Sequence, residues 1–414
     1  MISLGLFWFF YFAGLGTFFP YYSLYLRENA GLTGTELGIV LAVVPLIGST
    51  AQVVWGQVAD RTGARTRVLA VVTLGAALGY AALGTAGGFR GLVVATAGLS
   101  LFATAVVPVS VSVSLAALRD AGPHAFGFVR AWGTVGFLLL VVGFPWALNR
   151  AQAARQLVAE PGGPSEPGLE MMFAATALLV FIAALIAIRL PRGGGVELRA
   201  SRGDWRQLLR IGSVVRLALF TFAAYVCLQG PMGFFPVYIR AHGGDMGTVG
   251  RMWTLMLLIE IPLVLLSGAG LTRLGPRGLL SVGIFAAALR WIVCGLSQDL
   301  SVIYPVQLLH GVTVVGLLLG APLYLEAVAP EGLRSTGQTL LAMVGIGWGG
   351  TASNAAAGWL LENMGTNAPY LLGGMGALVL GCLVPWILPR PGQVRTEEKE
   401  GVSGRSRGYI ALDV

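Results

Sequence analysis

Charge is scarce in this chain of 414 residues: 11 % are Asp, Glu, Lys or Arg, against about 25 % in soluble domains. Lysine is all but missing, Lys399 being the only one, which hints at a GC-rich bacterial genome. The three cysteines, Cys227, Cys294 and Cys382, fall inside apolar runs. They are too few and too buried for a disulfide framework or a metal site. No GxGxxG opens a helix after a strand, and there is no P-loop and no metal-ligand spacing, so the soluble-enzyme motifs are missing too. His124 and His242 sit in loops, apart from any cysteine. The first apolar run lacks a charged leader and carries aromatics, and it reads as a retained helix rather than a cleaved signal peptide.

What is present is apolar. Hydrophobic residues make up 56 % of the chain and mean hydropathy is +0.77. A membrane span needs about 20 apolar residues. Twelve segments qualify: roughly 4–26, 36–58, 67–88, 91–118, 127–148, 170–189, 214–239, 247–270, 278–297, 301–328, 335–361 and 367–388. They lack the period-2 alternation of a barrel, so helices are expected. The net charge of +8 raises the question of nucleic acid, but the basic residues lie in short loops, where the positive-inside rule explains them. Twenty of the 27 fall in the loops after even-numbered segments and in the tails, and six on the other side. Both termini are therefore expected in the cytoplasm. The expected organisation is a six-helix half over 1–189, a cytoplasmic linker 190–213, a second half over 214–388 and a disordered tail 389–414. Within the linker, Arg199 to Arg210 can form a short amphipathic helix or simply a solvated connection. No cofactor, no nucleic acid and a monomer in the bilayer are expected.

Three consecutive segments each carry one ionisable residue deep inside: Glu260, Arg290 and His310. A charge in mid-bilayer costs at least ~2.5–3.5 kcal/mol, so it is rare and usually functional. A carboxylate and a guanidinium can compensate each other, and an imidazole titrates near neutrality. The trio suggests a proton relay; a structural ion pair pinning helices is the plainer alternative.

The loop after the second segment reads GQVADRTGAR at 56–65, and 212 residues further on GAGLTRLGPR repeats its glycine and arginine positions. Gly56 permits close helix approach and Gly63 a tight turn, while Asp60 can accept from a facing helix N-terminus. Parallel six-helix halves of this kind are a transporter architecture. The loop resembles the signature G-x-x-x-D-R-x-G-[RK]-[RK] of the major facilitator superfamily, matching at Gly56, Asp60, Arg61, Gly63 and Arg65 and departing at Ala64. The resemblance implies twelve transmembrane helices in two halves, with this loop and its second copy at Arg273, Gly275 and Arg277 latching the cytoplasmic side. Thr272 replaces the aspartate there, which implies a weaker latch.

FGFVRAWGTVGF at 126–137 resembles the helix 5 motif of the lactose-permease group, and the ordered trio Glu260, Arg290, His310 is similar to that group as well. LQG at 228–230 and LRW at 289–291 resemble the phenylpropionate-permease branch. Departures limit the carry-over. The acid late in helix 4 is missing, with Ser110, Ser112 and Ser114 in that region; Phe137 stands for the sugar-stacking tryptophan, and Thr313 for the glutamate after the histidine. Glu260 then becomes the leading proton carrier, with His310 second; Arg290 stays charged and tunes Glu260, and His310 can also tune this pair or bind solute through either ring nitrogen. Arg130 can anchor a carboxylate or hydroxyl by its planar fork, or merely snorkel. Trp132, Phe137, Gln229, Tyr11 and Trp253 are candidates to line a solute cavity. The implied function is proton-coupled uptake of a small organic solute such as an aromatic acid, nucleoside or sugar, through a bacterial inner membrane. An exporter of apolar compounds and a non-transporting sensor or assembly factor are the alternatives.

Overall fold

The computed structural model describes residues 1–119, 121–122, 125–157, 164–190 and 205–390, with the side chains at 205 and 264–272 set aside. Most of the expected linker and nearly all of the expected tail lie outside the described residues.

Among these residues the chain is helical and has no strand. Ten helices are long and apolar enough to cross a membrane: α1 Ile2–Asn29, α2 Gly34–Thr62, α3 Arg65–Leu83, α4 Gly88–Ala117, α5 Ala125–Arg155, α6 Met171–Ile188, α7 Gly212–Gly233, α9 Arg273–Leu296, α10 Leu300–Val328 and α12 Ala368–Ile387. Two further helical stretches fall where the hydropathy pattern expects spans, α8 at 246–272 and α11 at 334–364. Lipid offers no partners for backbone N–H and C=O groups, so runs of this length close their hydrogen bonds internally as helices.

The ends of the helices follow from local chemistry. Thr33 caps α2 in a reciprocal box with Glu36, and Asp245 caps α8 by accepting from the Thr248 N–H. α8 and α9 run on as one helical stretch, broken only at Gly275, whose φ of 66° is the left-handed value that side chains resist. Gly63 ends α2 with φ 62°. Both copies of the repeat therefore place a positive-φ glycine at the same position, with ψ −1° at Gly63 and 173° at Gly275.

α1 packs on α5 and α6, α2 on α4, and α3 on α4 and α6; in the second set α7 packs on α11 and α12, and α10 on the α8–α9 stretch. The two sets meet along α2–α11 and α5–α8. Both contacts are antiparallel. Gly38 lies against Gly358, where an added Cβ would stand 2.9 Å from the facing Cα. Further along, Thr351 Oγ1 donates to Ala42 O at 3.4 Å, and Gly347 lies against Ser49. On the other contact Gly250 lies against the Val141 carbonyl, and the Trp253 and Phe137 rings are 6.1 Å apart.

Hydrogen bonds and ion pairs between the two sets, among the described residues, all lie toward the end that carries Asn29. There Arg240 pairs with Glu28 at 3.1 Å and with Glu166, and the Thr35 N–H donates to the Glu362 carboxylate at 2.8 Å. At the opposite end, which carries Gly63, Gly56 faces open space and Asp60 pairs with Arg65 of its own loop at 3.0 Å. The bundle is thus clasped at the Asn29 end, and the contacts between its two sets thin out toward the Gly63 end.

Candidate functional site

The centre of the second set is a buried cation without a touching carboxylate. Arg290, on α9, is 2 % exposed. Its Nε donates to Gln307 Oε1 at 2.9 Å and its Nη1 to His310 Nδ1 at 2.9 Å. Nη2 points at the sulfurs of Met232 and Met256. The guanidinium stacks 4.0 Å from the Trp291 ring centre. Taking a charge out of water costs several kcal/mol even after relaxation, and all these neighbours are formally neutral. Compensation has to come from the next residue out.

That residue is Glu260. Its Oε2 lies 3.7 Å from His310 Nε2. The imidazole stands between carboxylate and guanidinium, one nitrogen toward each. The direct Glu260–Arg290 compensation expected from the sequence is therefore not the geometry seen; the histidine bridges the two. Gly311 makes the approach possible, since a Cβ there would sit 3.0 Å from the Glu260 backbone. α10 also departs from regular geometry here. Gln307, Leu308 and His310 bond three residues back rather than four, just after Pro305, and a π turn follows at Val315–Leu319. The tightened turn brings both Gln307 and His310 onto Arg290.

In the first set of helices stands Arg130 of α5. Its guanidinium lies over the rings of Phe12, at 4.1 Å, and Trp8, at 4.8 Å. Such stacking is worth about 0.5–2 kcal/mol. Trp8 is held in turn by donating to Ser114 at 3.1 Å, so in the region where the resembling group carries an acid this chain uses a serine and an aromatic shelf. Arg130 and Glu260, one from each set of helices, lie near enough for their charges to interact.

The remaining sequence candidates divide. Phe137 and Trp253 face each other between α5 and α8, and the buried Trp253 indole N–H has no partner. Gln229 lies beside Gly350 of α11. Tyr11 donates to Ala103 O at 3.1 Å and packs α1 on α4. Trp132 is 45 % exposed on the same face of α5 as Phe128, Val135 and Leu139; two residues of helix rotate it away from Arg130. Of the loop residues, Gly63 and Gly275 make the turns, Asp60 and Arg65 pair, and Arg61 and Arg273 are exposed. Arg277 follows the Gly275 break. Gln307, Trp8, Phe12 and the Arg240–Glu28–Glu166 cluster were not read from the sequence. A polar Gln307 three residues before His310 was the one available signal.

The MFS_1 like family matches residues 1–372. The chain belongs to that family. It is a multi-pass membrane transporter of the major facilitator type, and not an enzyme. It is 30 % identical to the maltose permease of Geobacillus stearothermophilus over 396 residues, 95 % of this chain and 96 % of that one. It is 27 % identical to the "Probable 3-phenylpropionic acid transporter" of Escherichia coli (strain K12) over 404 residues, 93 % and 97 % of the two chains. The fold is similar to the crystal structure of the nucleoside transporter NupG, with TM-score 0.80 at 16 % identity, covering 94 % of this chain and 99 % of that one. It is also similar to the D-xylose-proton symporter, with TM-score 0.67 at 15 % identity, covering 94 % and 97 %. This MFS_1 like chain thus carries its ionisable trio on α8, α9 and α10, facing an arginine on α5.

Proposed function

We propose that the protein takes up a small organic solute together with protons across a bacterial inner membrane, by alternating access. The observation that carries the reading is the line Arg290–His310–Glu260, with Arg130 near enough to Glu260 for their charges to interact. In this reading residues 1–189 and 214–388 rock as two halves joined by 190–213. On the same reading the bias of basic residues puts the Gly63 end in the cytoplasm, and clasping at the Asn29 end supports an inward-open carrier.

Arg130 offers planar donors to a carboxylate or hydroxyl, and Phe137 and Trp253 offer aromatic walls. Glu260 exchanges the coupled proton. When it is ionised it balances the buried Arg290 through His310; when protonated it releases that hold, and the balance between the halves shifts. Asp60, Arg61, Arg65, Gly56 and Gly63, with Arg273, Gly275 and Arg277, close the cytoplasmic side in the opposite state. The names of the relatives support maltose-like sugars and aromatic acids as the first solutes to try, with nucleosides next.

The test is a thermal-shift panel of those three classes on purified protein, followed by uptake into proteoliposomes. A ligand stabilises the state it binds. Accumulation driven by an inward proton gradient and abolished by a protonophore is the expected result. Accumulation that ignores the protonophore excludes proton coupling, and extrusion along the same gradient reverses the direction.

A further inference from the structure

Gln307 takes no part in the resemblances that led to Glu260, Arg290 and His310, yet it is fully buried, with 0 % exposure, and touches the relay directly. In a regular helix its backbone N–H would bond to the Ile303 carbonyl. Instead it bonds to Tyr304 O, and the side-chain Nε2 donates to Ile303 O at 2.9 Å. A second Nε2 contact reaches the Cys294 sulfur at 3.6 Å. The amide is therefore oriented by need: a carbonyl can only accept, so Nε2 must face Ile303 O and Oε1 is left to accept from Arg290 Nε.

The same reasoning continues outward. A guanidinium only donates, so His310 Nδ1 must accept from Arg290 Nη1. The neutral ring then carries its hydrogen on Nε2, which faces Glu260. We propose that Gln307 is a positioning residue for coupling: it holds Arg290 so that His310 is locked with its hydrogen on Nε2, the nitrogen that faces Glu260 at 3.7 Å. While that lock stands, Nδ1 has no room for a proton, and the moving proton belongs to Glu260 alone. This rests on the relay reading above, but its first test does not.

Nitrogen NMR of protein labelled at histidine reads the tautomers directly, and the chain has three histidines. His242 is an internal contrast, since its Nδ1 donates to Tyr238 O at 2.7 Å; His310→Gln assigns the remaining signals. The expected result is an unprotonated Nδ1 and a protonated Nε2 at His310 in the wild type. Gln307→Leu should lose that pure signature, and Gln307→Glu, which retains the polar contact and can pair with Arg290 itself, should retain it. Loss of a hydrogen bond to a charged group is worth roughly tenfold or more, so Gln307→Leu should cut gradient-driven uptake by about that factor while counterflow survives. An Nδ1–H tautomer in the wild type, or an unchanged tautomer in folded Gln307→Leu, overturns the proposal. Glu260→Gln is run alongside. If it still accumulates solute, the relay reading fails even though the tautomer result stands; if it does not and Gln307→Leu couples normally, the positioning role alone fails.

Discussion

Arg240, just beyond α7, is paired at 3.1 Å with Glu28 at the end of α1. The same guanidinium holds Glu166, so one cation from the second set of helices clasps two carboxylates from the first. From their own side, Ser165 donates to the Glu28 carboxylate and Asn29 to the Glu166 backbone carbonyl. All three side chains are only partly exposed, which limits screening by salt.

Removing that cation leaves two carboxylates facing each other. Arg240→Ala should therefore open the Asn29 end and shift the carrier away from the clasped state. Spin labels on Ala30 and Thr366, replaced by cysteine in a background with Cys227, Cys294 and Cys382 changed to serine, should show a longer distance in Arg240→Ala. Combining it with Glu28→Gln and Glu166→Gln should restore much of the short distance. An unchanged distribution in the single variant means that the helix contacts α2–α11 and α5–α8 close this end unaided.

Glu260→Gln keeps size and hydrogen bonding but cannot cycle a proton. It should abolish gradient-driven accumulation while counterflow of solute persists. If the variant still concentrates solute, the coupling carboxylate lies elsewhere, and the exposed Glu326 on α10 is next in line.

In the proposed relay, Arg290 is the buried positive charge that favours an ionised Glu260 through His310. Arg290→Ala should resemble Glu260→Gln at neutral pH, with exchange kept and net uptake lost. Net uptake should return in part under alkaline conditions, where proton release is easier. Arg290→Lys should fall between Ala and wild type, because an ammonium keeps the charge but loses the fork that reaches Gln307 and His310 together. Loss of uptake and counterflow in equal measure points instead to a role in binding solute. Wild-type uptake by Arg290→Ala makes the trio structural.

Asp245 caps α8 from the loop, and hydrogen bonds from the Thr248 hydroxyl and N–H hold its carboxyl below the usual carboxylate range. A group with a lowered value in the folded state stabilises it above the ordinary carboxylate range and loses that effect as pH falls through the lowered value. Asp245→Ala should cost on the order of 1 kcal/mol, the usual worth of an N-cap. The gap in Tm between wild type and variant should be full at neutral pH and shrink on acidification. A gap that stays constant down to strongly acidic pH means that the cap does not act through its charge.

The spans were legible because lipid permits only a few backbone forms and helix length is set by bilayer thickness. Even the break between α8 and α9 could be anticipated, since Gly275 repeats Gly63 and a left-handed turn favours glycine. The rank of Glu260, Arg290 and His310 as unusual residues also came from composition alone: ionisable groups inside apolar runs are costly wherever they end up. How they pair did not. Glu260 and Arg290 are 30 residues apart in sequence, and nothing in that spacing says that an imidazole stands between them.

Sequence by itself determined that this is a helical membrane protein with a repeated turn and a few expensive charges, because hydropathy and turn chemistry are local properties. The tertiary structure alone decided which side chains meet. The tightened turn after Pro305 moved Gln307 and His310 onto Arg290, the small residues Gly38, Gly250 and Gly358 let the two sets of helices touch at one end, and Arg130 came to rest on Trp8 and Phe12. Those outcomes depend on distances between segments far apart in the chain. Such distances are fixed by packing across helices, a property that no single stretch of residues carries.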